Sequence, residues 1–345
     1  MKHLICDIAL SIFLTLACAT PTAAQPLSLD DCMRYAVEHS TSVGQKELDL
    51  DDSKADYVES VASLFPAISA SAGATTNFGR SIDPGTNSYT TVTTFSNSYA
   101  LSGSMPLFEG LQGINTVRAA KVARMMGAAD LEVVRDEVAM QTMSAYIDVV
   151  YYTKTAEIAD EQLQASRATL RLVRKQLDLG LKSPADVAEI ESQVANYDYL
   201  LTTEQNNLAL ARIKLREVMN WPQDTELEIV TDISIDASAC NVTEQEVVSF
   251  ALQYNPRIAS ARHATEMKRL LYAKAKGGYT PSLYLYAGYN TSYYIDFDNK
   301  AAYDPFGSQF RNNRGGYIEA SLSIPIFAGL NRRSSKRRAE KAWGR

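Results

Sequence analysis

LFPAISASAG, at residues 64–73, returns as YTPSLYLYAG at residues 279–288. The two prolines of these stretches, Pro66 and Pro281, are related by a shift of 215 residues. A second pair of motifs, PLFEGL from Pro106 and PIFAGL from Pro325, repeats with a shift of 219, so the second copy contains a longer loop. A repeat of this length indicates that a supersecondary unit has been duplicated.

Long helices are predicted on both sides of these motifs. Residues 28–64 begin with Ser28 and Asp31 in a capping arrangement and contain no proline, so they predict a single helix. Residues 243–276 predict the partner of this helix in the second copy. After the first PLFEGL motif, residues 111–179 contain no proline. They predict a helix of roughly 100 Å, at a rise of about 1.5 Å per residue.

The sharpest local signal is the turn LGLKSPADV at residues 179–187. Gly180 suits a left-handed helix end, and a proline suits the first position of the next helix. Ser183 and Asp186 can cap that helix reciprocally. We predict the second helix over residues 184–220, folded back on the first as a hairpin.

The second helix of the hairpin carries a coiled-coil seam. Ten positions follow alternating steps of three and four, and nine of them are apolar or aromatic. This spacing is typical of helices that pack along one another. The seam comprises Val187, Ile190, Val194, Tyr197, Leu201, Glu204, Leu208, Ala211, Leu215 and Val218. The first helix repeats the pattern at Leu163, Leu170, Val173 and Leu177.

Between the helices the hydrophobic period changes to two. Segments near residues 67–78, 91–105, 281–295 and 315–326 alternate an apolar face with a face of small polar residues. Strands of about ten residues with this alternation fit a membrane barrel; a soluble sheet with one wet face would show the same pattern. On the barrel interpretation the polar face lines a wet lumen, at Glu319, Ser321 and Ser323. Tyrosines near the strand ends would form an interfacial girdle, and they are Tyr279, Tyr293, Tyr294 and Tyr317.

Four strands per chain are too few to close a barrel. An open edge in lipid leaves backbone groups unpaired, at several kcal/mol each, and small outer-membrane barrels begin at eight strands. Two chains would supply eight strands, with an interior filled by side chains, and three chains would supply twelve. We therefore predict a mainly α fold with transmembrane β-strands, in which several copies share one barrel that continues into a tube of long α-helical hairpins.

The N-terminal residues 1–24 have the features of a secretory signal peptide, with a basic start, an apolar run and small residues at the end. Cys18 leaves a lipoprotein signal open, although Thr15 occupies a position where such signals usually carry Leu. Cys32 and Cys240 would remain after cleavage, and export permits a disulfide between them without requiring one. The net charge of −6 argues against a nucleic-acid partner.

No enzyme chemistry is apparent in the sequence. His39 and His263 lie on different predicted helices without metal-ligand neighbours, and no phosphate-binding glycine loop is present. We expect no catalytic residue, no cofactor and no metal site. One acidic segment, predicted as a loop over residues 296–313, leaves two interpretations open, a cation site or an ordinary solvated loop. Its candidate ligands are Asp296, Asp298, Asn299 and Asp304.

In their order, duplication and spacing, these motifs resemble those of the TolC family of outer-membrane efflux proteins, from Leu27 to about Lys341. The resemblance implies a homotrimer with a twelve-stranded barrel in the bacterial outer membrane and an α-helical barrel in the periplasm. It also implies a periplasmic adaptor protein, an inner-membrane transporter and outer-membrane lipid as partners. Such a duct passes small molecules or polypeptides out of the cell, in efflux or in type I secretion.

By the same resemblance, the hairpin turn is the periplasmic tip that contacts the adaptor, through Gly180, Leu181, Ser183 and Asp186. Asp186 and Glu189 would then place carboxylates around the tip opening. The structural alternative is that the turn is only a well-capped hairpin, without a contact function.

The duplication divides the chain into a signal peptide at residues 1–24, a first repeat at residues 25–222 and an incomplete second repeat at residues 223–345. The second copy has fifteen residues after Leu330, whereas the first continues for about 110 residues after Leu111. A second hairpin is therefore missing from this sequence. We expect this 345-residue truncated form to be unable to complete a sealed helical tube and to be non-functional on its own.

Two other classes of protein compete with the duct. A structural or adhesive coiled-coil surface protein would carry one long run of heptads with a barrel at its C-terminus. A soluble periplasmic adaptor would carry one hairpin between small β-domains. Neither duplicates a strand pair between helices, so the duplicated strand pairs favour the duct.

Overall fold

The computed structural model describes residues 26–82, 87–232 and 242–344. The predicted signal peptide, lipidation at Cys18 and the pairing of Cys32 with Cys240 therefore lie outside the described residues. Cys32 itself is fully buried. Burial raises the pKa of its thiol to about 11, so the thiol is protonated at neutral pH.

Within these ranges the chain forms eight α-helices and four strands. The helices are α1 (Leu29–His39), α2 (Thr41–Ala62), α3 (Gln112–Asp178), α4 (Pro184–Met219), α5 (Glu244–Tyr254), α6 (Pro256–Gly277), α7 (Phe306–Asn312) and α8 (Asn331–Trp343). The strands are β1 (Ala67–Ile82), β2 (Tyr89–Phe108), β3 (Ser282–Asp296) and β4 (Gly315–Ser323), and a short 3-10 helix covers Lys300–Ala302. The predicted class, mainly α with four strands, is confirmed.

The helices before the two strand pairs are broken, and the prediction of one continuous helix in each copy was wrong. In the first copy α1 ends and α2 begins around Ser40, which is extended with φ −71 and ψ 127. In the second copy Asn255 is extended between α5 and α6. The ring of Pro256 disfavours a helical conformation at Asn255. The Asn255 side chain then caps α6 by accepting a hydrogen bond from the Arg257 N–H at 2.9 Å.

The hairpin helices agree closely with the prediction. The 67 residues of α3 are uninterrupted, and α4 spans 36 residues. All ten predicted seam positions of α4 are buried or half-buried. The one polar member, Glu204, accepts a hydrogen bond from the Thr155 hydroxyl of α3 at 3.1 Å. This partner explains how a carboxylate is accommodated within an otherwise apolar seam.

The four strands form one antiparallel sheet in the order β1-β2-β3-β4. Ser102 lies opposite Ser69 of β1 on one side and opposite Gly288 of β3 on the other. The last strand ends at Ser323, earlier than the predicted residue 326. Pro325 follows two residues later, and its missing N–H removes a ladder hydrogen bond.

The described residues divide into two compact units. The first contains residues 26–47, 131–232 and 242–247, and the second contains residues 48–82, 87–130 and 248–344. In the first unit α1 packs against α4. In the second unit α6 packs against α8, where the rings of Tyr272 and Trp343 stack at 5.7 Å.

None of the described helices combines the length and the apolar character that a bilayer-spanning helix needs.

Candidate functional site

The turn between α3 and α4 is built by two helix-end motifs. Gly180 adopts a left-handed conformation, with φ +73. Its N–H donates to the Leu177 carbonyl at 2.8 Å, and the Leu181 N–H donates to the Gln176 carbonyl at 2.8 Å. These two bonds form a Schellman motif, which satisfies carbonyls at the end of α3. The predicted role of Gly180 as the helix stop is confirmed.

The start of α4 is closed by a capping box. The Asp186 N–H donates to the Ser183 hydroxyl oxygen at 3.2 Å, and the Ser183 N–H donates back to the Asp186 carboxylate at 2.8 Å. The backbone N–H of Ser183, followed by its hydroxyl, holds the pKa of Asp186 below its ordinary value of 3.8. Lys182 adds an attraction at 3.7 Å. The Asp186 carboxylate is therefore held by hydrogen bonds within the turn.

The turn presents apolar side chains to solvent. Leu181 is 70% exposed, and Leu179, which the sequence analysis did not single out, is 74% exposed. Glu189 is also exposed, one turn beyond the cap. The two leucines that flank the left-handed glycine give the turn an exposed apolar surface. In the sequence, Leu179 could have been found from its position between the last turn of the first hairpin helix and Gly180.

Ion pairs between the two helices fix the hairpin near this turn. Arg174 of α3 contacts Glu191 of α4 at 2.6 Å, and Arg167 contacts Asp198 at 3.0 Å. These side chains are roughly half exposed, so each pair contributes only about 0–1 kcal/mol. Their value lies in fixing the register of the helices.

One face of the sheet is polar. Glu319 of β4 lies opposite Tyr286 of β3, and Ser321 lies opposite Tyr284. The hydroxyl of Tyr284 donates to the carboxylate of Glu109, which follows β2. Ser323 continues the same face opposite Ser282. The structure therefore brings the three predicted lumen residues to one face, together with a tyrosine and glutamate pair that the sequence analysis did not find.

The other face of the sheet is apolar and open. Ile68 is 74% exposed, Phe78 is 81% exposed and Ile318 is 82% exposed. In the described part of the sheet, β1 and β4 are the two edge strands. Long edges with apolar side chains are an aggregation hazard in water, so they call for a partner chain or a lipid environment.

The connection between β3 and β4, which the sequence left open between a cation site and a solvated loop, is exposed over most of its length but has structure of its own. It contains the 3-10 helix and α7, and its Gln309 is buried. The Gln309 amide accepts from the Tyr294 N–H at 3.0 Å and donates to the Tyr294 carbonyl at 2.9 Å. This side chain thus replaces a strand partner on β3 beyond the point where β4 begins.

Carboxylates of this connection accept hydrogen bonds from backbone N–H groups. The Asp296 carboxylate accepts from the Asp298 N–H at 2.8 Å, and the Asp298 carboxylate accepts from the Thr93 N–H at 3.4 Å. Among the residues that the structure covers, no cluster of His, Cys, Asp and Glu is arranged to hold a metal ion.

The repeated PLFEGL and PIFAGL motifs place the same backbone bend at both junctions between strand and helix. Gly110 and Gly329 have positive φ, and so do Leu111 and Leu330. At the first junction the backbone is also tightly packed. A Cβ atom on Gly277 would lie 2.3 Å from the Gly110 carbonyl oxygen. Only glycine allows this approach between α6 and the start of α3.

A long helical hairpin joined to an open, partly apolar four-stranded sheet defines the fold class of outer-membrane channel proteins. The crystal structure of VceC from Vibrio cholerae is similar, with a TM-score of 0.76 and 17% identity. The match covers 92% of this chain and 72% of the VceC chain. At this identity the similarity concerns the fold alone.

A model of the outer membrane efflux protein family matches residues 33–220, which is more than half of the chain, and the chain belongs to this family. TolC of Vibrio cholerae serotype O1 is 23% identical over 249 residues, which are 71% of this chain and 54% of the relative. BepC of Brucella suis biovar 1 is 24% identical over 274 residues, which are 78% of this chain and 54% of the relative. The chain thus spans about half the length of these curated relatives.

The family confirms the resemblance that the duplicated motifs predicted. It is a family of outer-membrane efflux channels and not of enzymes, in agreement with the prediction that the chain is not an enzyme. The particular contacts of the hairpin turn and the lumen role of Glu319, Ser321 and Ser323 stay predictions.

Proposed function

We propose that this sequence is part of a subunit of a homotrimeric exit duct, which passes small molecules or polypeptides across the bacterial outer membrane. The observation that supports this proposal is the pair of edge strands, β1 and β4, on a sheet with one exposed apolar face. In lipid, the edge groups of both strands need hydrogen-bond partners. Pairing of β4 with β1 of the next copy satisfies both edges, and three copies close a ring of twelve strands.

In this duct the apolar face contacts lipid and the polar face lines the lumen. Glu319, Ser321 and Ser323 face water there, next to Tyr284 and Glu109. The seam between α3 and α4 holds the hairpin that extends into the periplasm. The first repeat, residues 25–222, and the second repeat, residues 223–345, supply two strands each to the shared ring, after removal of residues 1–24 as a signal peptide.

The hairpin turn contacts a periplasmic adaptor, which in turn joins an inner-membrane transporter. The exposed Leu179 and Leu181 supply apolar contact area on a rigid support, because the Schellman motif and the capping box fix the backbone on both sides. Asp186 and Glu189 place negative charge beside these leucines, around the opening of the tip.

Inter-chain cysteine cross-linking tests the shared ring. We would introduce Ser71→Cys in β1 together with one cysteine on β4, at Glu319, Ser321 or Ser323, in the same chain, so that each chain can form a disulfide with both of its neighbours. We expect oxidised products that stop at three chains and fractionate with the outer membrane. The chain without added cysteines is the control for Cys32 and Cys240. A chain that stays a soluble monomer under these conditions would disprove the proposal.

A photo-cross-linker at Leu181 tests the tip in the same membranes. We expect it to capture a periplasmic adaptor, whereas the same cross-linker at Leu172, which is 57% exposed on the side of α3, should capture none. Equal capture at both positions would argue against a specific tip contact. Surface exposure of the hairpin to added protease on intact cells would instead favour the adhesive surface protein.

A further inference from the structure

The short helix α7 is docked on the apolar face of the sheet. The Phe306 ring lies 5.3 Å from that of Tyr293, and the Phe310 ring lies 5.5 Å from that of Tyr99, both edge to face. Tyr293 and Tyr99 belong to the side of the sheet that carries Leu101. Aromatic contacts of this geometry stabilise the packing beyond the burial of area alone. The helix is therefore seated on the sheet and does not lie free in solvent.

Hydrogen bonds fix the position of α7. The Thr291 hydroxyl, which is buried beneath it, donates to the Phe310 carbonyl at 2.8 Å. Gln309 binds the backbone of Tyr294, and the Asn313 amide donates to the Ser292 carbonyl at 2.9 Å. The helix is thus held against β3 from three sides, and the surface beside it is preformed.

An open groove runs between α7 and the strands, and we call it the α7 groove. Its walls are largely apolar, and its members include Ala72, Leu101, Tyr289 and Phe310. Leu101 and Tyr289 also line a second apolar groove further along the same face. The α7 groove is therefore continuous with the surface that faces lipid in the proposed duct.

A cation lies at the edge of this groove. Arg314 lines it, and its Nε donates to the Arg311 carbonyl at 2.7 Å. Within the described ranges, neither Arg311 nor Arg314 forms an ion pair, and both are exposed. A guanidinium next to an apolar channel matches an amphiphile with a phosphate group and an acyl chain.

The groove lies beside the first residues of β4 and across the middle of the longer strands, where Ala72, Tyr99 and Thr291 are in register. α6 leads into β3 and β4 leads into α8, so the connection that contains α7 is at the opposite end of the sheet. In the proposed duct, where the helices are periplasmic, that end meets the outer leaflet. We propose that the α7 groove binds an acyl chain of a phosphorylated outer-leaflet lipid, with the lipid phosphate on Arg314. This inference rests on the proposed function.

A free phosphate ion would contact Arg314 alone. A phosphorylated lipid contacts Arg314 and fills the apolar groove with the same molecule. The arrangement would anchor the sheet at a fixed depth, because the phosphate lies at the membrane interface and the groove lies below it.

Lipid binding can be measured on the full chain in phosphatidylcholine nanodiscs that contain lipid A, with native mass spectrometry as the readout. We expect Arg314→Gln to lower lipid A occupancy about tenfold, as the loss of one charge-assisted contact predicts. Ala72→Phe, which fills the groove without changing charge, should lower it similarly. Arg171→Gln, at an exposed position of α3 that does not line the groove, is the matched control and should leave occupancy unchanged.

Equal lipid A occupancy in the wild type and in Arg314→Gln would overturn the proposal, as would an equal loss in Arg171→Gln. Insertion is measured separately, by protection of the strands from protease in the same nanodiscs. If the chain inserts and lipid A occupancy is insensitive to Arg314, only the lipid site is wrong. If the chain does not insert at all, the proposed duct is wrong, and the lipid site is wrong with it.

Discussion

Ser40 and Asn255 occupy equivalent positions in the two copies, and each is the single extended residue between a helix of 11 residues and a helix of 22 residues. The shift between them is the same 215 residues that relates Pro66 to Pro281. The two residues achieve the break differently, since only the second is followed by proline. A conserved bend with different local chemistry indicates that the bend itself, and not one residue type, belongs to the duplicated unit.

Replacement of Gly180 by Ala should destabilise the hairpin. Its φ of +73 lies in the left-handed region, which costs an L-residue about 1–2 kcal/mol, although no neighbouring atom would contact the new Cβ. Gly44→Ala is the matched control, because Gly44 lies inside α2 with equally open surroundings. This control should stabilise the chain by about 0.5–1 kcal/mol. Denaturant unfolding of both variants provides the test. A change of the same sign in the free energy of unfolding of both variants would contradict the prediction.

The capping box should make the hairpin turn sensitive to acid. The folded-state pKa of Asp186 is below its ordinary value of 3.8, so its stabilising contribution is complete above that value. The contribution is lost as the pH falls through the lower folded-state pKa. Hydrogen exchange of the first turn of α4 should therefore accelerate in that acidic window. Asp186→Asn should remove most of this pH dependence; an unchanged profile would show that another group controls the turn.

The Tyr146 hydroxyl should stabilise the first unit. The ring is 1% exposed, and the hydroxyl donates to the Val230 carbonyl at 2.5 Å, with the Leu27 carbonyl 3.4 Å away. Tyr146→Phe leaves these carbonyls without that donor and should cost about 1–3 kcal/mol. Tyr151→Phe, whose ring is 59% exposed, should change unfolding little. Comparable losses in both variants would refute the assignment.

Two adjacent glycines should respond differently to the same substitution. Gly277→Ala would place a Cβ 2.3 Å from the Gly110 carbonyl oxygen, and neither backbone can move without disturbing its helix. We expect a loss of about 1–3 kcal/mol from overpacking. Gly278→Ala meets its nearest atom at 3.5 Å, an ordinary contact, and should be close to neutral. Thermal unfolding in detergent compares the pair, and a neutral Gly277→Ala would show that the two segments separate freely.

Gln309 should hold α7 on the sheet. Its side chain makes three hydrogen bonds, two to the Tyr294 backbone and one to the Asp304 carbonyl. At about 1 kcal/mol for each bond, Gln309→Ala should expose residues 298–314 to protease. The exposed Asn312, which only contacts Ser308 at 3.4 Å, supplies the control variant Asn312→Ala. Protease resistance equal to that of the wild type would assign the anchoring to the aromatic contacts instead.

Patterns local in sequence were predicted well because their cause is local. The capping box of Ser183 and Asp186, the helix stop at Gly180 and the seam from Val187 to Val218 follow from propensity and periodicity. The break at Asn255 was also readable, since Pro256 follows it, and it was overlooked. The break at Ser40 was not, because a serine between helical segments is compatible with a continuous helix.

The amino-acid sequence by itself determined the duplication, the hairpin and the two-faced strands, because repeats, caps and side-chain alternation are set by neighbours along the chain. Only the tertiary structure placed Glu109 on Tyr284, Gly277 against Gly110 and α7 on the apolar face. Those contacts join segments up to 175 residues apart. Their existence depends on how the sheet brings distant backbone together, which no local pattern encodes.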